Sequence, residues 1–239
     1  MNNEIKAFSR PKALLNKLEN NSKLGIRGTQ GTLRLKVLLG NSGSYTWQIG
    51  QAQNQIIDEI RLRQGDSFIP TKIGMYIQKV ASTLTDSDQV TAIDRTFPNP
   101  LIFTGAAEAA LLEGLYHGRI VFNINSTNLV EFIDTLQFRR VGMAQQLVNY
   151  VVASPAGNGI QRDSWDGGDY GLIPFHQDIL LNGQANQSVQ LQLPTAINAA
   201  GTSSSNYAIL IMRGIMILNG AKMTQDASIN SFLTKNFAQ

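Results

Sequence analysis

No cysteine occurs anywhere in the sequence. That removes disulfides, thiolate metal sites and cysteine nucleophiles together. Histidine is almost as scarce, with His117 and His176 alone, whereas a zinc site draws on three or four His, Cys or carboxylate ligands. No run of about 18 uncharged apolar residues is present, so no membrane span is expected. The opening MNNEIKAFSRPKALL lacks the roughly 7–15-residue apolar block of a secretory signal. A soluble protein made in a cytoplasm is expected. Neither G-x-S-x-G nor G-x-x-x-x-G-K-[ST] appears, so hydrolase and nucleotide-binding chemistry find no motif. Charge is thin as well: 15% of residues are Asp, Glu, Lys or Arg, against about 25% in an ordinary domain. Asn, Gln, Ser, Thr and Gly take their place. Such a surface suits burial between subunits, where interface cores are depleted of charge, and it also suits secreted β-proteins.

The charge that exists is unevenly placed. Residues 1–36 hold eight of the 20 Lys/Arg and two of the 17 Asp/Glu, a net +6, so the other 203 residues total −3. A basic arm ahead of a slightly acidic body points to contact with nucleic acid or with an acidic neighbouring subunit. Lys6, Arg10, Lys12, Lys17, Lys23 and Arg27 are the candidate contacts. The plainer alternative is a solvated helix, since the aromatics of a base-stacking surface are missing from the arm.

RPKALLNKLENN, residues 10–21, reads as a short helix, with Leu14, Leu15 and Leu18 on one face and Pro11 in its first turn. Gly25, Gly28 and Gly31 then break it. The boundary is expected there, with an arm over 1–31 and a body over 32–239.

From residue 32 the pattern alternates. TLRLKVLLG puts Leu33, Leu35 and Val37 on one face and Arg34 and Lys36 on the other. Residues 56–80 read as strand, tight turn at QGDS, strand, with Ile73, Met75 and Ile77 in step. FTGAAEAALLEGLYHG favours a helix limited by Gly114 and Gly118. RIVFNIN, QLVNYVVA, DILLNG and SVQLQLP read as strands, while FIDTL suits a strand or a helical piece. YAILIMRGIMILNG, residues 207–220, is apolar on both faces. A buried helix competes, but the Ile, Tyr and Gly content and the lack of caps favour a strand, buried on both sides or facing a core on one side and a subunit on the other, with a bulge or bend at Arg213-Gly214 and a turn at the final NG. About eight to ten strands, separated by long connections, suggest a sandwich or closed barrel with Greek-key crossovers.

Few residues present chemistry. His117 ends the expected helix, where a cationic side chain is favourable, and reads as a cap or surface residue. His176 lies two residues before Asp178, which is able to orient it as a base, but no nucleophile motif accompanies the pair. Asp163, Asp166 and Asp169 recur every third residue in RDSWDGGDYG. They are weak candidates for a hard cation, because the spacing departs from the EF-hand loop. Trp165 and Tyr170 in the same loop are candidate interface anchors or sugar-stacking aromatics. No cofactor is implied, and no set of nucleophile, base and oxyanion donors marks an enzyme.

QNQIIDEIRLRQGDSFIPTKIGMYIQK, GRIVFNIN, LNGQANQSVQLQLP and YAILIMRGIMILNG together resemble structural proteins of bacterial viruses, in particular jelly-roll capsid proteins, over roughly residues 50–220. The likeness is one of pattern and carries no functional residue. It implies a mainly β, jelly-roll-like antiparallel sandwich with a short N-terminal helix and one inserted helix. It further implies a virion shell subunit that associates with itself, as trimer or pentamer, and with other virion proteins. The arm would then reach a neighbour or the viral genome. The alternative is a β-sandwich recognition module for carbohydrate or a receptor, calcium-dependent through the Asp-rich loop.

Overall fold

The computed structural model describes residues 27–50, 59–81, 93–95, 111–124, 127–139, 172–176, 179–184, 186–201 and 204–221, with Asn16 alone ahead of them. The described chain is mainly β. In order the strands are β1 (Arg27–Leu38), β2 (Asn41–Gln48), β3 (Ser67–Ala81), β4 (Ile93–Arg95), β5 (Arg119–Ile124), β6 (Thr127–Asp134), β7 (Ile173–Pro174), β8 (Leu181–Asn182), β9 (Gln187–Asn198) and β10 (Ser204–Leu218).

They form two antiparallel sheets. The first runs β1-β10-β3, and the far side of β3 is paired in series by β8, β7 and β4. The second runs β2-β9-β5-β6. First strand pairs with last, second with second-last, and β3 with β8, while β5 and β6 close the tip. Among the described strands this is the order of a long hairpin rolled up on itself, the double Greek key of a jelly roll.

The two arms of that hairpin cross between sheets together. Leu39 N–H donates to the Asn206 carbonyl at 2.8 Å, Ala199 N–H to the Gly40 carbonyl at 3.1 Å, and Asn206 Nδ2 to the Ala199 carbonyl at 3.1 Å. Two corners that would otherwise expose backbone groups satisfy each other.

Period-two alternation places the core. Tyr45 and Trp47 of β2, Ile120 and Phe122 of β5, and Val189 and Leu191 of β9 face Leu33 and Leu35 of β1, Ile73, Met75 and Ile77 of β3, and Leu210 and Met212 of β10. Trp47 Nε1 donates to the Ala208 carbonyl at 3.0 Å, tying β2 to β10 across the sandwich. β10 is buried on both sides: Ile209, Ile215 and Ile217, on the face away from this core, are also buried. Its apolar run has the expected cause.

The bulge falls where Gly214 stands. Arg213 pairs with Lys72 and Gly214 with Pro70, so Thr71 is the extra residue, and it lies on β3. Proline has no N–H for a ladder and is tolerated at such a site. A Cβ on Gly214 would come within 2.0 Å of the Ile69 carbonyl oxygen. The turn after β10 holds Asn219 at φ 55°, a left-handed value that Asn tolerates. The recurring LNG at 181–183 and 218–220 has a shared purpose. Gly183 N–H donates to the Asp66 carbonyl at 3.0 Å and Asn219 N–H to Asp66 Oδ1 at 3.0 Å, so both turns clasp the 63–67 turn.

Two expectations change and a third is resolved. β1 starts at Arg27, so residues 27–31, glycines included, pair with β10 rather than breaking the chain. The stretch before the QGDS turn is a strap and not a strand at residues 59–62: single bridges join Ile60 to Arg34 and Leu62 to Gly50. It covers the β1 edge, and Lys36, on the face opposite Leu33 and Leu35, is 3% exposed. FIDTL is both things in turn, since β6 ends at Asp134 and a 3-10 turn, Thr135–Phe138, follows. Of the inserted helix, residues 111–113 are helical and tighten into a 3-10 turn, Gly114–His117. The expected helix over 10–21, apart from a helical Asn16, and QLVNYVVA lie outside the described residues.

Candidate functional site

The outer face of the second sheet carries a groove of ≈ 860 Å³. Strand register builds it. Ser44 on β2 lies opposite Gln192 on β9, Gln192 opposite Arg119 on β5, and Arg119 opposite Asp134 on β6. One row of polar side chains therefore crosses all four strands. Gln190, two residues along β9, adds a second position on the same face. Phe132, His117 and the Leu193-Pro194 step complete the walls.

The row is linked by directed hydrogen bonds. Arg119 Nε donates to Gln192 Oε1 at 2.9 Å, Gln192 Nε2 to Gln190 Oε1 at 2.8 Å, and Gln190 Nε2 to Ser44 Oγ at 2.7 Å. The Arg119 guanidinium also lies 4.5 Å from the centroid of Phe132, a cation–π distance. Phe132 is 60% exposed, the most open of the large apolar side chains described.

One end of the groove is held by buried Thr135. Its Oγ accepts from Gly118 N–H at 2.9 Å and donates to the Gly118 carbonyl at 2.8 Å, and Thr135 N–H donates to that carbonyl at 3.1 Å. Gly118 fits because a Cβ would meet the Gln192 carbonyl oxygen at 2.6 Å. Asp134 Oδ1 caps Leu136 N–H at 2.9 Å, which fixes the carboxylate at the groove's rim. An Arg139–Glu113 ion pair joins the two 3-10 turns.

A second polar cluster sits under the strap. Glu59 Oε1 accepts from Lys36 N–H at 2.8 Å, and Glu59 Oε2 accepts from Arg61 Nη2 at 2.8 Å and Nε at 3.1 Å. Lys36 Nζ lies 4.1 Å from the Tyr207 centroid. This cluster fastens the β1 edge.

The structure distributes the expected residues as follows. His117 is exposed and lines the groove. His176 is exposed after β7, on the other sheet, and does not line it. Asp163, Asp166, Asp169, Trp165 and Tyr170 lie outside the described residues, as do Lys6, Arg10, Lys12, Lys17 and Lys23; of Arg27 only the backbone, in β1, is described. Among the described residues no three His, Asp or Glu side chains gather as a metal site would require. Among them, too, no helix is long and apolar enough to cross a membrane.

Sequence reasoning passed over Ser44, Arg119, Phe132, Asp134, Gln190 and Gln192. The available signal was the alternation of SVQLQL, which sets both glutamines on the polar face. Which residues of three other strands stand beside them is a matter of register. No protein-family profile matches this chain, and no curated protein sequence matches it.

Proposed function

We propose that the chain is a non-enzymatic structural protein of a bacterial virus, a capsid subunit that assembles with itself into the virion shell in the host cytoplasm. The observation that carries this reading is the rolled hairpin fed by a basic segment. β1 begins at the Arg27–Leu218 pair, and Lys6, Arg10, Lys12, Lys17 and Lys23 precede it in the sequence. Jelly rolls serve capsids, lectins and cupins alike, so the fold by itself does not select among them. The charge-poor polar surface and the cationic segment at one end favour assembly. Leu38 and Ile60, 56% and 51% exposed beside the β1 edge, suit burial against a neighbouring subunit.

Light scattering behind size exclusion, on the full chain at low and high salt, tests this. The expected result is a closed oligomer or shell-sized particle whose size depends on salt, because Lys and Arg contacts to acidic groups are screened. A monomer at every concentration and salt level would overturn the reading.

A further inference from the structure

We infer that the groove on the outer face of the second sheet is a binding site for a neutral saccharide. The inference goes beyond the assembly reading and does not depend on it.

The hydrogen-bond row defines the ligand chemistry. A side-chain amide has two N–H donors and two carbonyl lone pairs. Gln190 and Gln192 each spend one donor and one acceptor within the row. Each therefore keeps the capacity for one further donation and one further acceptance. A sugar hydroxyl is itself one donor and two acceptor lone pairs. Two adjacent hydroxyls on a pyranose match two neighbouring amides in both senses at once, which a phosphate or an ammonium group does not.

Charge points the same way. Among its described lining residues the groove carries one fixed cation, Arg119, and one fixed anion, Asp134, in register on neighbouring strands. An anionic ligand would meet the Asp134 carboxylate and a cationic one the Arg119 guanidinium. A neutral, hydroxyl-rich ligand accepts from the one and donates to the other, and bonds to charged partners are the stronger kind.

The apolar part is Phe132. The Arg119 guanidinium lies over the ring, and the exposed part of the ring supplies a flat apolar patch. A pyranose has a comparable patch of C–H groups on one side, so stacking removes apolar surface from water on both partners. The volume falls within the roughly 300–1,000 Å³ of small-molecule sites. Because the row and the Thr135–Gly118 clamp hold the side chains beforehand, little ordering entropy opposes binding.

The test is a titration of the full-length protein with glucose, galactose, mannose, N-acetylglucosamine and their short oligomers, followed by NMR or calorimetry, with sialyllactose and a heparin oligomer as anionic comparators. Saturable binding of a neutral saccharide at millimolar concentration or tighter is expected, weakened about tenfold or more in Phe132→Ala and Gln192→Ala. Both side chains lie at the surface, and melting curves would confirm that the variants fold. Should either fail, Ser44→Ala and Gln190→Ala substitute for it, with a weakening of about threefold or more expected. The inference is overturned if no neutral saccharide binds at about 10 mM, if the anionic comparators bind more tightly, or if the folded variants bind as the parent does. Since binding is read apart from particle size, a monomer that binds sugar would refute the shell reading alone.

Discussion

Two buried hydroxyls in this molecule, those of Thr135 and Tyr45, are set to particular tasks. Thr135 clamps Gly118 through both its backbone groups, and Tyr45 Oη donates to the Gly40 carbonyl at 2.6 Å, pinning the corner between β1 and β2. Burial pushes the Tyr45 hydroxyl above tyrosine's ordinary 10.0. Burial pushes Tyr116 far higher, and the nearby Tyr76 adds to it. Both are held neutral in the fold more strongly than in the unfolded chain. Their contribution to stability is thus complete below pH of about 10 and is lost as pH rises past that value, because the unfolded state then releases protons that the native state retains. Urea unfolding at pH 8 to 11 should show a flat midpoint that falls only at the alkaline end. Tyrosinate absorbance should lag the tyrosine count until the protein unfolds. Full ionisation of all six tyrosines in folded protein at pH 11 would contradict this.

At the scale of elements, β10 is the strand on which the first sheet depends, since β1 and β3 pair on either side of it. The sequence already showed its double burial and its interruption at Arg213-Gly214. It did not show that the extra residue, Thr71, belongs to the partner strand, because a bulge is a property of two strands. Three glycines separate close approach from mere flexibility. Gly214→Ala should cost about 3 kcal/mol, since the Cβ meets backbone that has nowhere to go. Gly31→Ala should cost about 1 kcal/mol, its Cβ meeting Met216 Cβ at 2.9 Å. Gly40→Ala should be near neutral, with nothing within 4 Å. Urea midpoints of the three variants give the ranking, and equal values for Gly214→Ala and Gly40→Ala would refute it. Alternation was easy to read in β9 and β5, where one face is core and the other polar. It misled at the 59–62 strap, where Ile60 and Leu62 alternate like a strand but make single bridges only. The Lys36–Glu59–Arg61 cluster was equally hidden, because Glu59 reaches Lys36 from 23 residues away.

For the whole molecule, the rolled hairpin predicts where truncation is harmless. β1 begins at Arg27, so removing residues 1–24 spares every pairing to β10 and should leave the melting temperature within a few degrees of the parent. Under the assembly reading the same deletion should reduce or abolish the salt-sensitive oligomer. Unchanged particles would strip the basic segment of its assembly role. By itself the sequence determined the β class, the core faces of most strands, the glycine turns and the lack of cysteine chemistry. Those properties rest on side-chain period and backbone freedom, which act over a few residues. The tertiary structure alone decided which strands became neighbours, and with that the polar row Ser44–Gln192–Arg119–Asp134. Its members are drawn from positions 44 to 192 of the chain. No local pattern encodes such a juxtaposition; it arises only when β9 pairs with β2 on one side and β5 on the other and the register of the four strands is locked by the core on their other face.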